Sequence, residues 1–249
     1  MLNQPLLDKL SALRLAGIRQ GLEEQLENPQ YAELTFEDRL GLLVDREWLR
    51  RENNRIQRAL KAARFHQPAT IEDLDLSAAR GLERRLVLEL AQGQWIYRHL
   101  NAVVLGPTGA GKTYLACALG QAACRLGISV RYLRTSRLLQ QLHHAHADGS
   151  YPKLLDSLAR VPLLILDDWL RDPLNPTQAR DLLEILDDRY GRISTLVASQ
   201  VPVAEWHARF PDPTLADAIL DRLVHNAYRL ELRGESQRKA RSPLLMPTT

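Results

Sequence analysis

The run Gly106-Pro107-Thr108-Gly109-Ala110-Gly111-Lys112-Thr113 places Gly106, Gly111, Lys112 and Thr113 at the spacing G-x-x-x-x-G-K-T, with a third glycine, Gly109, between them. It follows the apolar Ala102-Val103-Val104-Leu105 and opens an Ala/Leu-rich helical pattern. Glycines let a backbone fold around an anion with successive N–H groups turned inward, and a helix starting there adds the positive end of its dipole. Lys112 then reaches the β and γ phosphates of a nucleotide, and the Thr113 hydroxyl is a hard oxygen ligand suited to Mg²⁺. A second pair, Asp167-Asp168, follows Val161-Pro162-Leu163-Leu164-Ile165-Leu166, the near-continuous apolar run of a strand buried in a parallel sheet. At the end of such a strand Asp167 supports the Mg²⁺ shell, while Asp168 orients or deprotonates an attacking water. Asp168 is shorter than the glutamate more usual at that position, which fits a slow, switch-like hydrolysis. Ser199-Gln200, after the apolar Thr195-Leu196-Val197-Ala198, puts a polar side chain where it could sense a γ phosphate, or simply ends the strand.

Around these residues the spacing predicts two parts. The first, residues 1–67, is helical. Leu6, Leu7, Leu10, Leu13, Ile18, Leu22 and Leu26 define an amphipathic helix from Pro5 to Glu27, stopped by Asn28-Pro29. Thr35 and Asp38 then resemble a capping box for a second helix reaching about Phe65. That helix carries Arg46, Arg50, Arg51, Arg55, Arg58, Lys61 and Arg64, and reads equally as a solvated basic face or as a phosphate- or partner-binding surface. The second part, residues 68–241, alternates strand and helix patterns. A helix from a Ser77 cap to Gln94 leads through Trp95-Ile96-Tyr97 into the first strand, and the apolar residues of this lead-in either line a nucleotide base or simply pack in the core. The helix after the phosphate loop stops at Gly127, and Ile128 to Leu133 forms an additional strand. Ser136 caps a helix from Arg137 to Ala147, Tyr151 to Leu158 forms another, and Asn175-Pro176 start one through Tyr190, stopped by Gly191. A last helix, Leu215 to Asn226, precedes the strand Tyr228 to Leu232, and residues 242–249 form a flexible tail.

With 249 residues, 45% hydrophobic and 25% charged, the composition is that of an ordinary globular protein, and a net charge of +3 permits a polyanionic partner without demanding one. Cys117 and Cys124, seven apart on one helix, read as buried thiols. His143, His144 and His146 lack carboxylate or cysteine partners at ligand spacing and read as a polar helix end. No apolar run is long enough to span a bilayer and no signal-peptide core is present, so a reduced, cytoplasmic protein is expected.

An extra strand between the phosphate-loop helix and the Asp167-Asp168 strand marks the additional-strand ATPases. Together with Asp221-Arg222-Leu223, Ser77-Ala78-Ala79-Arg80-Gly81-Leu82-Glu83-Arg84 and Gly234-Glu235-Ser236-Gln237-Arg238-Lys239, the chain resembles the IstB-like ATP-binding proteins of insertion-sequence transposition, in the helicase-loader branch of the AAA+ ATPases. The resemblance implies an α/β three-layer sandwich with a parallel sheet of order 5-1-4-3-2, a helical N-terminal domain and little or no C-terminal lid. It also implies ATP and Mg²⁺ as cofactors, ATP hydrolysis, homo-oligomers assembled on duplex DNA, and a transposase partner; the DnaC-type helicase loader is the alternative. Carried over by position, Arg222 resembles an arginine finger directed at a neighbouring subunit, or else pairs with Asp217, Asp221 or another acid. Arg238 resembles a nucleotide sensor. Arg131, Arg134, Arg137 and Lys153, with Arg50, Arg51, Arg55 and Arg58, are candidates for DNA contact or ordinary surface charge.

Overall fold

The computed structural model describes residues 4–234. Contacts divide the chain into two units, one ending at Arg58 and one beginning at Ala59.

The first unit is built from α1 (Gln4–Ala12), α2 (Ala16–Glu27) and the greater part of α3 (Phe36–Ala63). The single helix expected from Pro5 to Glu27 is thus two helices. Arg14 at φ 58° turns the chain between them, and its carbonyl accepts a bond from Arg50 Nη2 at 3.2 Å. The Thr35 hydroxyl accepts from the Asp38 N–H at 3.2 Å and donates to the Asp38 carboxylate at 2.8 Å, so the cap of α3 forms as read.

The second unit is a five-stranded, wholly parallel sheet: β1 (Asn101–Leu105), β2 (Val130–Arg134), β3 (Leu163–Asp167), β4 (Ser194–Ser199) and β5 (Ala227–Glu231), in the order β2-β3-β4-β1-β5. This is the expected order 5-1-4-3-2. Alternation along each strand sends residues to opposite faces. Ala102, Val104, Ile165, Leu196 and Ala198 pack with α4 (Arg84–Ala91), α5 (Gln94–Tyr97), α6 (Lys112–Arg125) and the last turn of α3. Val103, Leu105, Leu164, Leu166 and Val197 pack with α7 (Thr135–Asp148), α8 (Tyr151–Ala159), α9 (Pro176–Arg189) and α10 (Pro213–Val224). Three layers result, and every residue of β1, β3 and β4 is buried.

Two element readings are corrected. The helix expected from Ser77 begins only at Arg84, because Gly81 at φ 70° interrupts it beside Arg233. Of the two readings of the lead-in, Trp95 and Ile96 follow the packing one: they are core residues, 3% and 4% exposed, with the indole N–H donated to the Leu90 carbonyl at 2.9 Å, and do not line the cavity described below. Ser136 lies inside α7, which starts one residue earlier. The box of Asn175 and Gln178 does cap α9, and Gly127 at φ 85° closes α6. Cys117 and Cys124 are buried free thiols whose burial pushes both up to about 11. No helix among the described residues is long and apolar enough to cross a membrane.

Candidate nucleotide site

β1 is central and delivers the phosphate loop at its C-terminal end, the edge where ligands of open parallel sheets bind. Gly106 stands at φ 149°, and a Cβ there would lie 2.6 Å from the Leu232 carbonyl, so only glycine lets the loop leave the strand beside the extension of β5. Gly111 at φ 103° swings the chain into α6, so that the N-terminal end of that helix, with the positive end of its dipole, adjoins the loop. Lys112 Nζ donates back to the Pro107 carbonyl at 2.9 Å and so arches across the loop.

Facing the loop is the end of β3. Asp167 is 2% exposed, and each of its acceptors is held: Oδ2 by the Thr113 hydroxyl at 2.8 Å and the Tyr132 hydroxyl at 2.6 Å, Oδ1 by the Asp168 N–H at 2.9 Å, and the carbonyl by the Thr135 hydroxyl at 3.0 Å. Burial, then the neighbouring Asp167 charge, push the Tyr132 hydroxyl far above the ordinary phenol range, so it is a permanent donor. Asp168 turns out of the strand at φ 54°, a left-handed conformation that aspartate tolerates better than most residues. The two adjacent carboxylates consequently point differently, one into the sheet edge and one into the open cavity.

That cavity, of about 690 Å³, lies within the usual range for small-molecule sites, which runs from roughly 300 to 1,000 Å³. The segment Thr108–Tyr114 lines it with Asp168 and Gln200. Gln200 Oε1 accepts from the Thr108 hydroxyl at 2.7 Å, which ties the end of β4 to the phosphate loop. Ser199 is placed differently: wholly buried, it donates to the Trp169 carbonyl at 2.7 Å and accepts from the Val201 N–H at 3.1 Å. The apolar side consists of Leu74, Leu82 and Leu232; Leu82 belongs to the lead-in to β1, whereas Trp95, Ile96 and Tyr97 do not line the cavity.

Three arginines also line the cavity. Arg80, 7% exposed, donates to the Ala110 carbonyl in the phosphate loop. Arg134, a DNA candidate from sequence, stands at this cavity with a guanidinium nitrogen 2.8 Å from His66 Nε2. Arg171 pairs with Asp172 at 3.0 Å. Arg171, Tyr132 and His66 carried no motif spacing that would mark them, and Arg80 stood only within the family phrase of residues 77–84 with no role assigned to it; they converge through the fold. The donors present fit a magnesium nucleotide: inward N–H groups, Lys112 and arginines for the phosphates, and hard oxygens on Thr113 and Asp167 for the cation.

The remaining candidates of the second unit, among the described residues, do not line this cavity. Arg222, on α10, pairs with Asp187 of α9 and donates to the Ala218 carbonyl at 2.8 Å. Arg131 is half-buried, with Nε lacking a hydrogen-bond partner among the described residues. Arg137 bonds Gln140 at 3.2 Å, and Lys153 is exposed. In the first unit Arg50 and Arg51 share Glu47, Arg55 pairs with Glu52, and Arg58 is exposed. His146 sits 2.9 Å from Asp181 and stacks on Tyr151. Arg238 lies outside the described residues.

Residues 8–244 match the family described as IstB-like ATP binding protein. The chain is 48% identical over 239 residues to a Sinorhizobium fredii protein named as insertion sequence ATP-binding protein y4pL, covering 96% of this chain and 98% of that one. It is 34% identical over 229 residues to the Pseudomonas aeruginosa protein named as an insertion sequence IS21 ATP-binding protein, covering 92% and 86%. Among solved structures it resembles DnaI, with TM-score 0.58 and 21% identity over 71% of this chain and 93% of that one. The DnaC helicase loader gives TM-score 0.51 and 20% identity over 71% and 99%. These two likenesses are of fold, and the fold is that of the AAA+ proteins.

Proposed function

Because the chain belongs to the IstB-like ATP binding protein family, we propose that it is an AAA+ ATPase that assembles on duplex DNA when ATP is bound and regulates transposition by selecting or remodelling the target and stimulating a partner transposase. The observation that carries the ATPase part is the single sheet edge on which Lys112, Thr113, Asp167, Asp168 and Gln200 converge. The α6 N-terminus and Lys112 hold the triphosphate, and Asp168 faces the cavity as the group that orients water. Bound Mg²⁺, held by Thr113 with Asp167 behind it, would neutralise phosphate charge. Gln200, already bonded to the loop through Thr108, reports on the γ position. The DNA and transposase part is supported by insertion-sequence relatives that match nearly the whole chain.

The likeness to DnaI and DnaC keeps a helicase-loader reading in view, with a replicative helicase as partner and single strands as substrate. Light scattering with ATP or ADP, on duplex or single-stranded DNA, separates the two. ATP-dependent growth on duplex is expected, abolished by Lys112→Ala. Asp168→Asn is expected to bind and assemble as the parent does while phosphate release falls about 100-fold or more. Growth confined to single strands, or requiring a helicase, would replace this reading by the loader.

A further inference from the structure

We propose that Tyr132 is a positioning residue for the cation site, acting through Asp167 to fix the direction in which Thr113 offers its oxygen. This rests on the magnesium-nucleotide reading of the site. Tyr132 lies on β2, the edge strand, where its Cα pairs with Ile165, two residues before Asp167 on the neighbouring strand. Residues two apart share a face, so the phenol reaches along the sheet to the carboxylate. The ring is 5% exposed and packs against Phe65 with centroids 6.4 Å apart, while the hydroxyl itself is fixed by its bond to Asp167.

The two hydroxyls on Asp167 Oδ2 are not equivalent. Thr113 has one proton and lone pairs that a cation needs; giving that proton to Oδ2 aims the lone pairs away from Asp167. Where Oδ2 stands therefore decides where Thr113 points. A carboxylate can rotate about its terminal bond, which has a broad torsional profile, and the Tyr132 bond at 2.6 Å resists that rotation from the neighbouring strand. Outer partners of this kind set ligand orientation at metal sites and commonly change metal affinity about 10- to 100-fold when removed.

Tyr132→Phe deletes the hydroxyl and keeps the ring. The full chain is titrated with Mg²⁺ in the presence of a fluorescent, non-hydrolysable ATP analogue, and Mn²⁺ binding is followed separately by electron paramagnetic resonance. Nucleotide affinity in chelator should stay within about twofold of the parent, while the Mg²⁺ half-saturation point rises about tenfold and Mn²⁺ binding weakens in parallel. Phe65→Leu, which loosens the ring packing but spares the hydroxyl, should lower the melting temperature with little change in the midpoint. A parent whose nucleotide binding ignores Mg²⁺ would remove the underlying site reading. A responsive parent with an unmoved Tyr132→Phe midpoint, or an equal shift in Phe65→Leu, would overturn the positioning role alone. Should Tyr132→Phe fail to fold, Tyr132→Met fills the space with a flexible apolar chain and gives the same readout.

Discussion

The end of β4 assigns two adjacent polar residues to different work. Ser199 has one proton and spends it on the Trp169 carbonyl, while its oxygen accepts from Val201; with the side chain wholly buried, nothing remains to meet a phosphate. Gln200 is exposed at the cavity and bonded to Thr108 of the phosphate loop. Gln200→Ala is therefore expected to cut single-turnover phosphate release at least tenfold with nucleotide affinity nearly unchanged. Ser199→Ala leaves the Val201 N–H and the Trp169 carbonyl without their buried partner and should lower stability by about 1–3 kcal/mol. Its turnover per folded molecule should match the parent. Rapid-quench kinetics beside thermal melts make the comparison, and the reverse pattern would return the sensing role to Ser199.

At the scale of elements, α2 and α3 meet where Gly17 leaves no room for a side chain: a Cβ would lie 2.8 Å from the Glu47 Cα. The Gly17 N–H donates to Glu47 Oε2 at 2.6 Å. Arg50 foremost, then Arg51 and this N–H, hold the Glu47 carboxyl down to about 2, against an ordinary 4.5. A lowered carboxylate stabilises the fold fully above its unfolded value and loses that contribution as pH falls toward its folded one. Glu47→Gln should thus melt below the parent at pH 7, with the gap closing between about pH 4.5 and 2; circular dichroism across that window tests it, and a gap independent of pH would refute it. Gly17→Val should cost about 1–3 kcal/mol by overpacking. The same contact explains what sequence left unread. Periodicity found the apolar face of residues 5–27 but not its break, because Arg14 turns left-handed with its carbonyl held by Arg50, 36 residues away. The helix expected from Ser77 loses its first turns for a like reason, since Gly81 turns left-handed beside Arg233 from beyond β5. Where the cause was local, as at the Asn175 cap, the Gly127 stop and the phosphate loop, the element was legible. Tyr132 and Arg134 reach the site through the pairing of β2 with β3, and Arg80 through its bond to the Ala110 carbonyl 30 residues on, which no spacing rule encodes.

At the scale of the whole molecule the question is whether the site is complete within one chain. The cavity takes its cations from the phosphate loop, from Arg80, from the end of β2 and from the loop after β3, and none from α10. Arg222 of α10 is instead held against Asp187, with 29% of its side chain exposed. An arginine stays charged at any working pH and can fork across phosphate oxygens, so one displayed on a helix outside its own site is suited to a neighbour's. Two readings then diverge. If Arg222 serves a neighbouring site, Arg222→Ala should bind ATP as the parent does, lose ATP-dependent growth on duplex DNA, and release phosphate about 1,000-fold more slowly in the presence of DNA. Asp187→Ala, which frees the guanidinium, should retain assembly. If the pair with Asp187 only braces α9 against α10, both variants should lose stability alike and assemble normally once folded. Light scattering and phosphate release on the two variants, with melts beside them, decide between a pair that holds one chain together and an arginine displayed for the next.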